Sequence, residues 1–323
     1  MSATSPIRWP AEAIWEAVSP LLPGFTVEVL PTIDSTNTEL MRRARNGQCE
    51  PTLLVAEQQT AGRGRLGRVW HSGVDVSSAG PPQAAKAPQG GSAPREAASV
   101  GALPSLMMSL GLPLAPKDWS GLSLAVGVSV AESLQPTLPP LGAGQPARVG
   151  LKWPNDLWLG GAGGDRKLGG ILVETASFVA PQGRPDALPF AGTGAGAARY
   201  VVVGIGINVL PRNAEGMSLP PGSLQDVEPG LDAPTALQRI VPPLLAMLQS
   251  FEGYGFGPMQ PRFAARDVLQ GRPVTLSDGT AGMAHGVGED GALRVHTAGG
   301  MQAITSSEIS VRPSALQELR SPV

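Results

Sequence analysis

The sequence predicts an α+β main domain followed by a small β-barrel-like module. Through the first 265 residues, apolar β-branched segments are interspersed with segments whose apolar residues recur at three- and four-residue spacings, patterns typical of strands and helices respectively. From Gln270 onward, short polar-apolar alternations are separated by Asp278-Gly279 and Asp290-Gly291, two strong signals for hairpin turns. We therefore assign residues 1–265 to the main domain and residues 266–323 to the C-terminal module.

The elements of the main domain follow from local composition. Apolar and β-branched content predicts strands at residues 53–57, 105–110, 150–159, 170–175 and 200–209. Helices are predicted at 35–45, where Ser, Thr and Asn precede helix formers, and at 122–134 and 235–251. Three segments rich in Gly, Pro and Ala lack apolar periodicity, and we interpret them as surface loops near residues 73–104, 180–198 and 211–234.

Composition restricts the class of protein and its partners. The 323 residues carry 24 Lys and Arg against 26 Asp and Glu, so the basic excess on which nucleic-acid affinity depends is missing. The single cysteine, Cys49, excludes internal disulfides, and the N-terminus lacks the apolar segment of a signal peptide. No apolar run approaches the roughly 20 residues of a membrane span. We expect a cytoplasmic protein that binds neither nucleic acid nor membrane.

The most informative segment is the arginine loop, residues 62–68, with the sequence Gly62-Arg63-Gly64-Arg65-Leu66-Gly67-Arg68. Glycine lets backbone N–H groups approach a ligand, and each guanidinium can bind phosphate or carboxylate oxygens by two hydrogen bonds. The motif predicts a loop that closes over an anionic small molecule and is mobile when empty. Contact with a nucleic-acid backbone and a merely solvated loop are the alternatives, and the net charge of −2 argues against the first.

Two motifs with lysines add candidate catalytic groups. In Lys152-Trp153-Pro154-Asn155-Asp156 a strand-like segment ends in amide and carboxylate oxygens, which suit a hard cation such as Mg²⁺. An ordinary turn after proline is the alternative. In Lys167-Leu168-Gly169-Gly170 a lysine begins a buried-looking strand whose glycines permit close approach of a ligand, and a solvated hairpin lysine is the alternative.

Two further motifs contain candidate binding residues. Gly204 and Gly206 interrupt an apolar strand that ends at Asn208, and Val209 stands where a dinucleotide-binding fingerprint would have its last glycine. We interpret this strand as one whose glycines make room for a flat ligand. The triplet Ser35-Thr36-Asn37 predicts a helix N-terminus able to bind a polar head group, with simple capping as the alternative.

In the order STN, GRGRxGR, KWPND, KLGGI and GIGIN, these motifs resemble the biotin protein ligase family from about Val27 to the C-terminus. The resemblance implies the biotin/lipoate ligase catalytic fold, a mixed or antiparallel sheet with helices, followed by a C-terminal SH3-like barrel. It also implies that biotin and ATP, with Mg²⁺, form biotinyl-5'-AMP. A lysine of a biotin carboxyl carrier protein, from acetyl-CoA carboxylase or a related carboxylase, then accepts biotin.

The resemblance further implies residue roles. Lys167 lies between the biotin carboxylate and the α-phosphate, Arg65 and Arg68 bind the phosphates, and Lys152 adds charge. Asp156 and Asn208 position Mg²⁺ and ATP. Arg63 closes the loop over biotin, and Trp70 packs on the adenylate. The expected binding set also includes the ureido-ring contacts and the pocket lining, namely Ser35, Thr36, Asn37, Gln59, Gly62, Gly64, Gly170, Gly204 and Gly206.

Competing hypotheses remain open at this level. A lipoate-protein ligase shares the fold and the adenylation strategy, and a noncatalytic biotin-binding sensor would keep the pocket without the chemistry. The presence of both Lys167 and Asp156 argues against a sensor. Only about 30 residues precede Ser35, so we expect a ligase without an N-terminal DNA-binding domain. An exposed sheet edge would permit either a homodimer or docking of the carrier by strand addition.

Overall fold

The computed structural model describes residues 7–70, 103–140, 144–161, 164–178, 197–212, 221–305 and 311–313. Most of the predicted loops at 73–104 and 180–198 lies outside these residues, as does 213–220 of the third. Part of that third segment is ordered structure. A 3-10 turn spans Leu224–Asp226, where Ser223 and Asp226 cap each other, and the next helix begins at Ala233.

Within the described ranges, seven strands form a mixed sheet at the centre of the main domain. Its strand order is β1-β2-β3-β7-β6-β5-β4, with β1 and β2 parallel and the remaining pairs antiparallel. The strands are β1 (Thr26–Ile33), β2 (Thr52–Gln59), β3 (Ser105–Leu114), β4 (Arg148–Lys152), β5 (Asp156–Gly160), β6 (Arg166–Ser177) and β7 (Arg199–Asn208). The long central strands β3 and β7 are buried along most of their length because helices cover both faces.

The two faces of the sheet carry different helices, namely α1 (Ala11–Val18), α2 (Thr36–Arg45), α3 (Leu122–Leu134), α4 (Ala233–Tyr254) and α5 (Gln260–Ala264). On one face α2 packs Leu40 and Met41 against Leu54 and Val202. On the other face α1, α3, α4 and α5 contribute to the larger apolar core. This division leaves the α2 face open beside the start of α2, where the pocket lies. Among the described residues, no helix is both long and apolar enough to span a membrane.

The predicted elements are present, with one strand to correct. The segment 150–159, expected as a single strand, is the hairpin of β4 and β5, joined at Trp153-Pro154-Asn155. Pro154 has no N–H to donate, so a continuous ladder cannot pass through it. Strand β1 was not predicted, because Pro31 and polar residues obscure its pattern; an edge strand tolerates such a proline.

The described part of the C-terminal module contains a five-stranded antiparallel sheet in the order β11-β10-β9-β8-β12. Its strands are β8 (Pro273–Leu276), β9 (Ala281–Val287), β10 (Leu293–Thr297), β11 (Gly300–Ile304) and β12 (Val311–Pro313). Both predicted hairpin turns are confirmed, with Gly279 and Gly291 at φ values of 89° and 73°. The module joins the main domain through a hydrogen bond from Trp153 Nε1 to the Gly291 carbonyl, 3.0 Å long.

Candidate active site

A pocket opens on the α2 face, between the arginine loop, the start of α2 and the middle of the sheet. Strands β4, β5, β6 and β7 supply its floor. The structure brings together most of the residues singled out in the sequence, which lie up to 171 positions apart in the chain. Those lining the pocket are Ser35, Thr36, Asn37, Gln59, Arg63, Gly64, Arg65, Arg68, Trp70, Lys152, Asp156, Lys167, Gly170, Gly204 and Gly206.

The arginine loop is a compact turn held by its own backbone. The Gly64 N–H donates to the Arg68 carbonyl at 2.7 Å, and the Trp70 N–H donates to the Gly62 carbonyl at 2.8 Å. Leu66 has a φ of 57°, the left-handed region that is costly for a residue with a side chain. The loop thus presents its arginines to the pocket at the expense of local strain.

Asp156 stands between two lysines. Its Oδ1 lies 2.6 Å from Lys167 Nζ, and its Oδ2 lies 3.7 Å from Lys152 Nζ. The two lysines differ in environment: the Lys152 side chain is 12% exposed and its ammonium lies 4.9 Å from the centre of the Trp158 ring, whereas Lys167 is 42% exposed. The exposed ammonium is therefore the one presented to a ligand, with the buried one beneath it.

Burial lowers the pKa values of two cationic side chains in this cluster, Lys152 and Arg65. Desolvation lowers the pKa of Lys152, the nearby Asp156 carboxylate opposes that fall, and the positive charges of Lys167 and Arg68 add to it. Desolvation also lowers the pKa of the half-buried Arg65 guanidinium. Arg65 Nη1 lies 3.4 Å from Asn155 Oδ1. Several cations thus face one pocket around the Asp156 carboxylate, an arrangement that favours an anionic ligand.

The start of α2 forms the other wall through a network of buried polar side chains. The Thr36 N–H donates to Gln59 Oε1 at 2.8 Å, and the Ser35 side chain caps the helix by accepting from the Thr38 N–H. Ser109, on β3, lies 2.7 Å from both Thr36 Oγ1 and Asn37 Oδ1. Since the Asn37 oxygen is a carbonyl, Ser109 donates to it and accepts from Thr36. These bonds fix the polar groups in one orientation.

The sequence suggested that the glycines of β7 leave space for a flat ligand. In the structure, side chains of the protein itself occupy that space. A Cβ on Gly204 would lie 2.0 Å from Asn37 Oδ1, and one on Gly206 would lie 2.8 Å from Trp70 Cε2. Each glycine therefore admits a pocket side chain against the sheet. Gly170 differs, because its nearest neighbour would be Lys167 Nζ at 3.6 Å, an ordinary contact. A Cβ on Gly62 would meet the Trp70 carbonyl at 2.5 Å.

Asn208 and Gly62 are not among the residues lining the pocket. Asn208 is 5% exposed, and its amide donates to the Lys167 carbonyl at 3.3 Å and the Gly222 carbonyl at 3.0 Å. The amide thus ties the strand that carries Lys167 to the segment after residue 220. Among the described residues there is no group of three or more His, Cys, Asp and Glu that could hold a metal ion.

Two residues beside the pocket, Ser109 and Glu174, are not predicted from the sequence. Ser109 is fully buried, and Glu174 on β6 contacts both Arg63 and Asn37. The signal for each was a polar residue within an apolar strand, SLMMSLGLPL for Ser109 and GGILVETAS for Glu174. Neither strand pattern says which residues lie opposite.

The fold and the cationic pocket define a class, the protein ligases that activate a carboxylate before joining it to a protein. The family model described as "Biotin/lipoate A/B protein ligase family" matches residues 29–79, and the one described as "Biotin protein ligase C terminal domain" matches residues 270–312.

Whole-chain relatives identify the family within that class. The chain is 34% identical to the bifunctional ligase/repressor BirA of Escherichia coli K12, over 90% of this chain and 75% of that protein. It is 29% identical to the biotin–acetyl-CoA-carboxylase ligase of Paracoccus denitrificans, over 87% and 98% of the two chains. In fold it is similar to the biotin protein ligase of Aquifex aeolicus in complex with biotin and ATP, with a TM-score of 0.60, 24% identity and coverage of 89% and 99%. The chain belongs to the biotin protein ligase family, and its function is ATP-dependent ligation of biotin.

Proposed function

We propose that the pocket carries out this reaction in two half-reactions. A biotin carboxylate oxygen first attacks the α-phosphorus of ATP, which forms biotinyl-5'-AMP and releases pyrophosphate. A lysine amine of the carrier then attacks the acyl carbon, which forms the amide and releases AMP. The observation that carries the proposal is the set of cations Lys167, Lys152, Arg65 and Arg68 lining one pocket around Asp156.

The first half-reaction brings two anions together, so positive charge held in place beforehand is the main catalytic requirement. Lys167 is the more exposed of the two lysines, and in this proposal it contacts both the biotin carboxylate and the α-phosphate. Arg65 and Arg68 on the loop bind the phosphates, and buried Lys152 adds charge from below. Asp156 lies between the two lysines, and its carboxylate opposes the fall in the pKa of Lys152 that burial causes.

The remaining pocket residues bind the two organic groups. Ser35, Thr36 and Gln59 offer hydroxyl and amide groups to the ureido ring, with Gly170 beside it and Arg63 closing above. Trp70 packs on the adenylate. Its Nε1 is buried without a hydrogen-bond partner in the part of the chain that the structure describes, and a bound ligand would supply the missing acceptor.

Mg²⁺ fits this pocket only together with ATP. Both oxygens of Asp156 face lysines, and the Asn208 amide is turned to two backbone carbonyls. Asp156 would therefore hold the ion jointly with the phosphates, whose charge Mg²⁺ neutralises when bound. Asp156→Ala should weaken the dependence of ATP use on Mg²⁺, and an unaltered Mg²⁺ titration would contradict the assignment.

The acceptor is a biotin carboxyl carrier protein, and we propose that it docks at β6. Strand β5 pairs with β6 only from Arg166 to Gly170, and Asn155 bonds to Ile171 beyond it. Within the described ranges, no strand pairs with residues 172–177 on the side opposite β7. This free edge beside the pocket suits strand addition by the carrier or by a second copy in a homodimer. We place the reaction in the cytoplasm, consistent with the free thiol of Cys49.

The test is pyrophosphate release by the purified protein with ATP and either biotin or lipoate, followed by an avidin blot with an apo carrier domain. Biotin-dependent release and a labelled carrier are expected. Release with lipoate alone would indicate a lipoate ligase, and tight biotin binding without release would indicate a sensor.

A further inference from the structure

Glu174 contacts two parts of the pocket at once. One carboxylate oxygen lies 3.6 Å from Arg63 Nη2, in the arginine loop, and the other accepts a hydrogen bond from Asn37 Nδ2 at 3.0 Å. The Glu174 side chain is 23% exposed and that of Arg63 is 48% exposed, so the pair lies at the rim of the pocket. A single carboxylate thus joins a surface loop to the buried wall.

The contacts of Asn37 extend this link inward. Its Oδ1 accepts from Ser109, and Ser109 lies 2.7 Å from Thr36 Oγ1. Thr36 in turn bonds to Gln59 through its backbone N–H. The ion pair between Arg63 and Glu174 is therefore continued by hydrogen bonds that reach the groups proposed to bind the ureido ring.

We infer that Glu174 is a positioning residue that couples closure of the arginine loop to the orientation of the biotin-binding groups at the start of α2. The inference rests on the proposed function of the pocket. The charge of Glu174 holds Arg63 and hence the closed loop, while its oxygen holds the Asn37 amide. Occupation of the ureido subsite and retention of the adenylate under the loop are then linked through one side chain.

Two substitutions separate these contributions. Glu174→Gln keeps an oxygen for Asn37 but removes the charge opposite Arg63, whereas Glu174→Ala removes both the oxygen and the charge. The escape of labelled biotinyl-5'-AMP from its preformed complex with the full chain, chased with unlabelled adenylate, measures loop retention. Glu174→Gln should accelerate escape about fivefold, the effect of a partly exposed ion pair, with little change in KM for biotin. Glu174→Ala should accelerate escape and also raise KM for biotin.

Glu28→Gln is the matched control, because Glu28 is a partly exposed strand residue paired with Arg43 at 2.7 Å, away from the pocket lining. It should behave as the wild type. In an Arg63→Gln background, Glu174→Gln should add no further acceleration, since the partner is already gone.

An unchanged escape rate in a folded Glu174→Gln protein would overturn the inference, as would a full additional effect in the Arg63→Gln background. Wild-type protein that forms no adenylate would instead overturn the proposed function.

Discussion

Lys167 Nζ lies 2.6 Å from Asp156 Oδ1 because the β5–β6 ladder contains a bulge. Asp156 pairs with Gly170 and Leu157 with Gly169, but Trp158 pairs with Lys167, so Leu168 is the extra residue. In a regular strand Lys167 and Gly170 would point to opposite faces. The bulge turns Lys167 to the pocket face, while Leu168 is buried in the core.

Lys167→Ala should abolish most adenylate formation. Removing one preorganised charge from the reacting groups typically costs about 100-fold or more in rate. Biotin binding should remain measurable, because the ureido contacts at α2 are untouched. Pyrophosphate release measures adenylate formation, and an equilibrium titration measures biotin binding. Lys117→Ala, at an exposed position, is the control. Unchanged turnover would remove Lys167 from its proposed role.

Asp156→Asn should shift the alkaline limb of the activity profile to lower pH. Burial already lowers the pKa of Lys152, and the Asp156 carboxylate opposes that fall. Without the carboxylate the pKa of Lys152 falls further, so its ammonium group loses its proton at a lower pH than in the wild type. Adenylate formation measured from pH 7 to 10 should show this shift, and an identical limb in both proteins would contradict it.

Two glycine substitutions should differ in what they affect, one lowering the stability of the fold and the other weakening biotin binding. Gly204→Ala places a Cβ 2.0 Å from Asn37 Oδ1, which is held by buried hydrogen bonds, and should destabilise the fold by roughly 1–3 kcal/mol. Gly170→Ala meets only ordinary contacts and should leave stability unchanged, but its methyl group enters the pocket and should weaken biotin binding about tenfold.

Urea unfolding and biotin titration of both variants test this contrast. Gly160→Ala is the control, because no described residue lies within 4 Å of its Cβ position. A stable Gly204→Ala protein would show that Asn37 moves aside without cost.

Asp267→Asn should remove a pH-dependent loss of stability at the junction with the C-terminal module. Asp267 Oδ1 accepts from the Leu269 N–H at 2.8 Å, but Oδ2 is buried with no hydrogen-bond partner among the described residues. Burial raises the pKa of Asp267 from 3.8 to about 6. Between these values the unfolded chain loses its proton first, so wild-type stability falls as pH rises through this window.

The variant cannot ionise and keeps the oxygen that accepts from Leu269. Relative to wild type, it should gain about 1–2 kcal/mol of unfolding free energy between pH 4 and pH 7. Denaturant unfolding at both pH values measures the gain. Asp118→Asn, in an exposed turn where Asp118 accepts from Ser120, should show none. If the unfolding free energies of wild type and Asp267→Asn changed equally between pH 4 and pH 7, the raised pKa assigned to Asp267 would be refuted.

Some elements of the fold could be predicted from the sequence, and others could not. Helix α2 was predictable because Ser35 and the residues after it act within one turn, and the hairpins at Gly279 and Gly291 follow from two-residue turn chemistry. The division of residues 150–159 into two strands was missed because apolar content on both sides of Pro154 masked the turn.

By itself the sequence determined the chemistry of this protein: the arginine loop, two lysines and a carboxylate, in an order shared with biotin protein ligases. Each of these motifs is a short run of neighbouring residues, and its residue types indicate which kinds of ligand it can bind. Only the tertiary structure decided which groups meet, because contacts between distant segments depend on register. The bulge at Leu168 turned Lys167 toward Asp156, Gly204 admitted Asn37 against the sheet, and β6 carried Glu174 to Arg63.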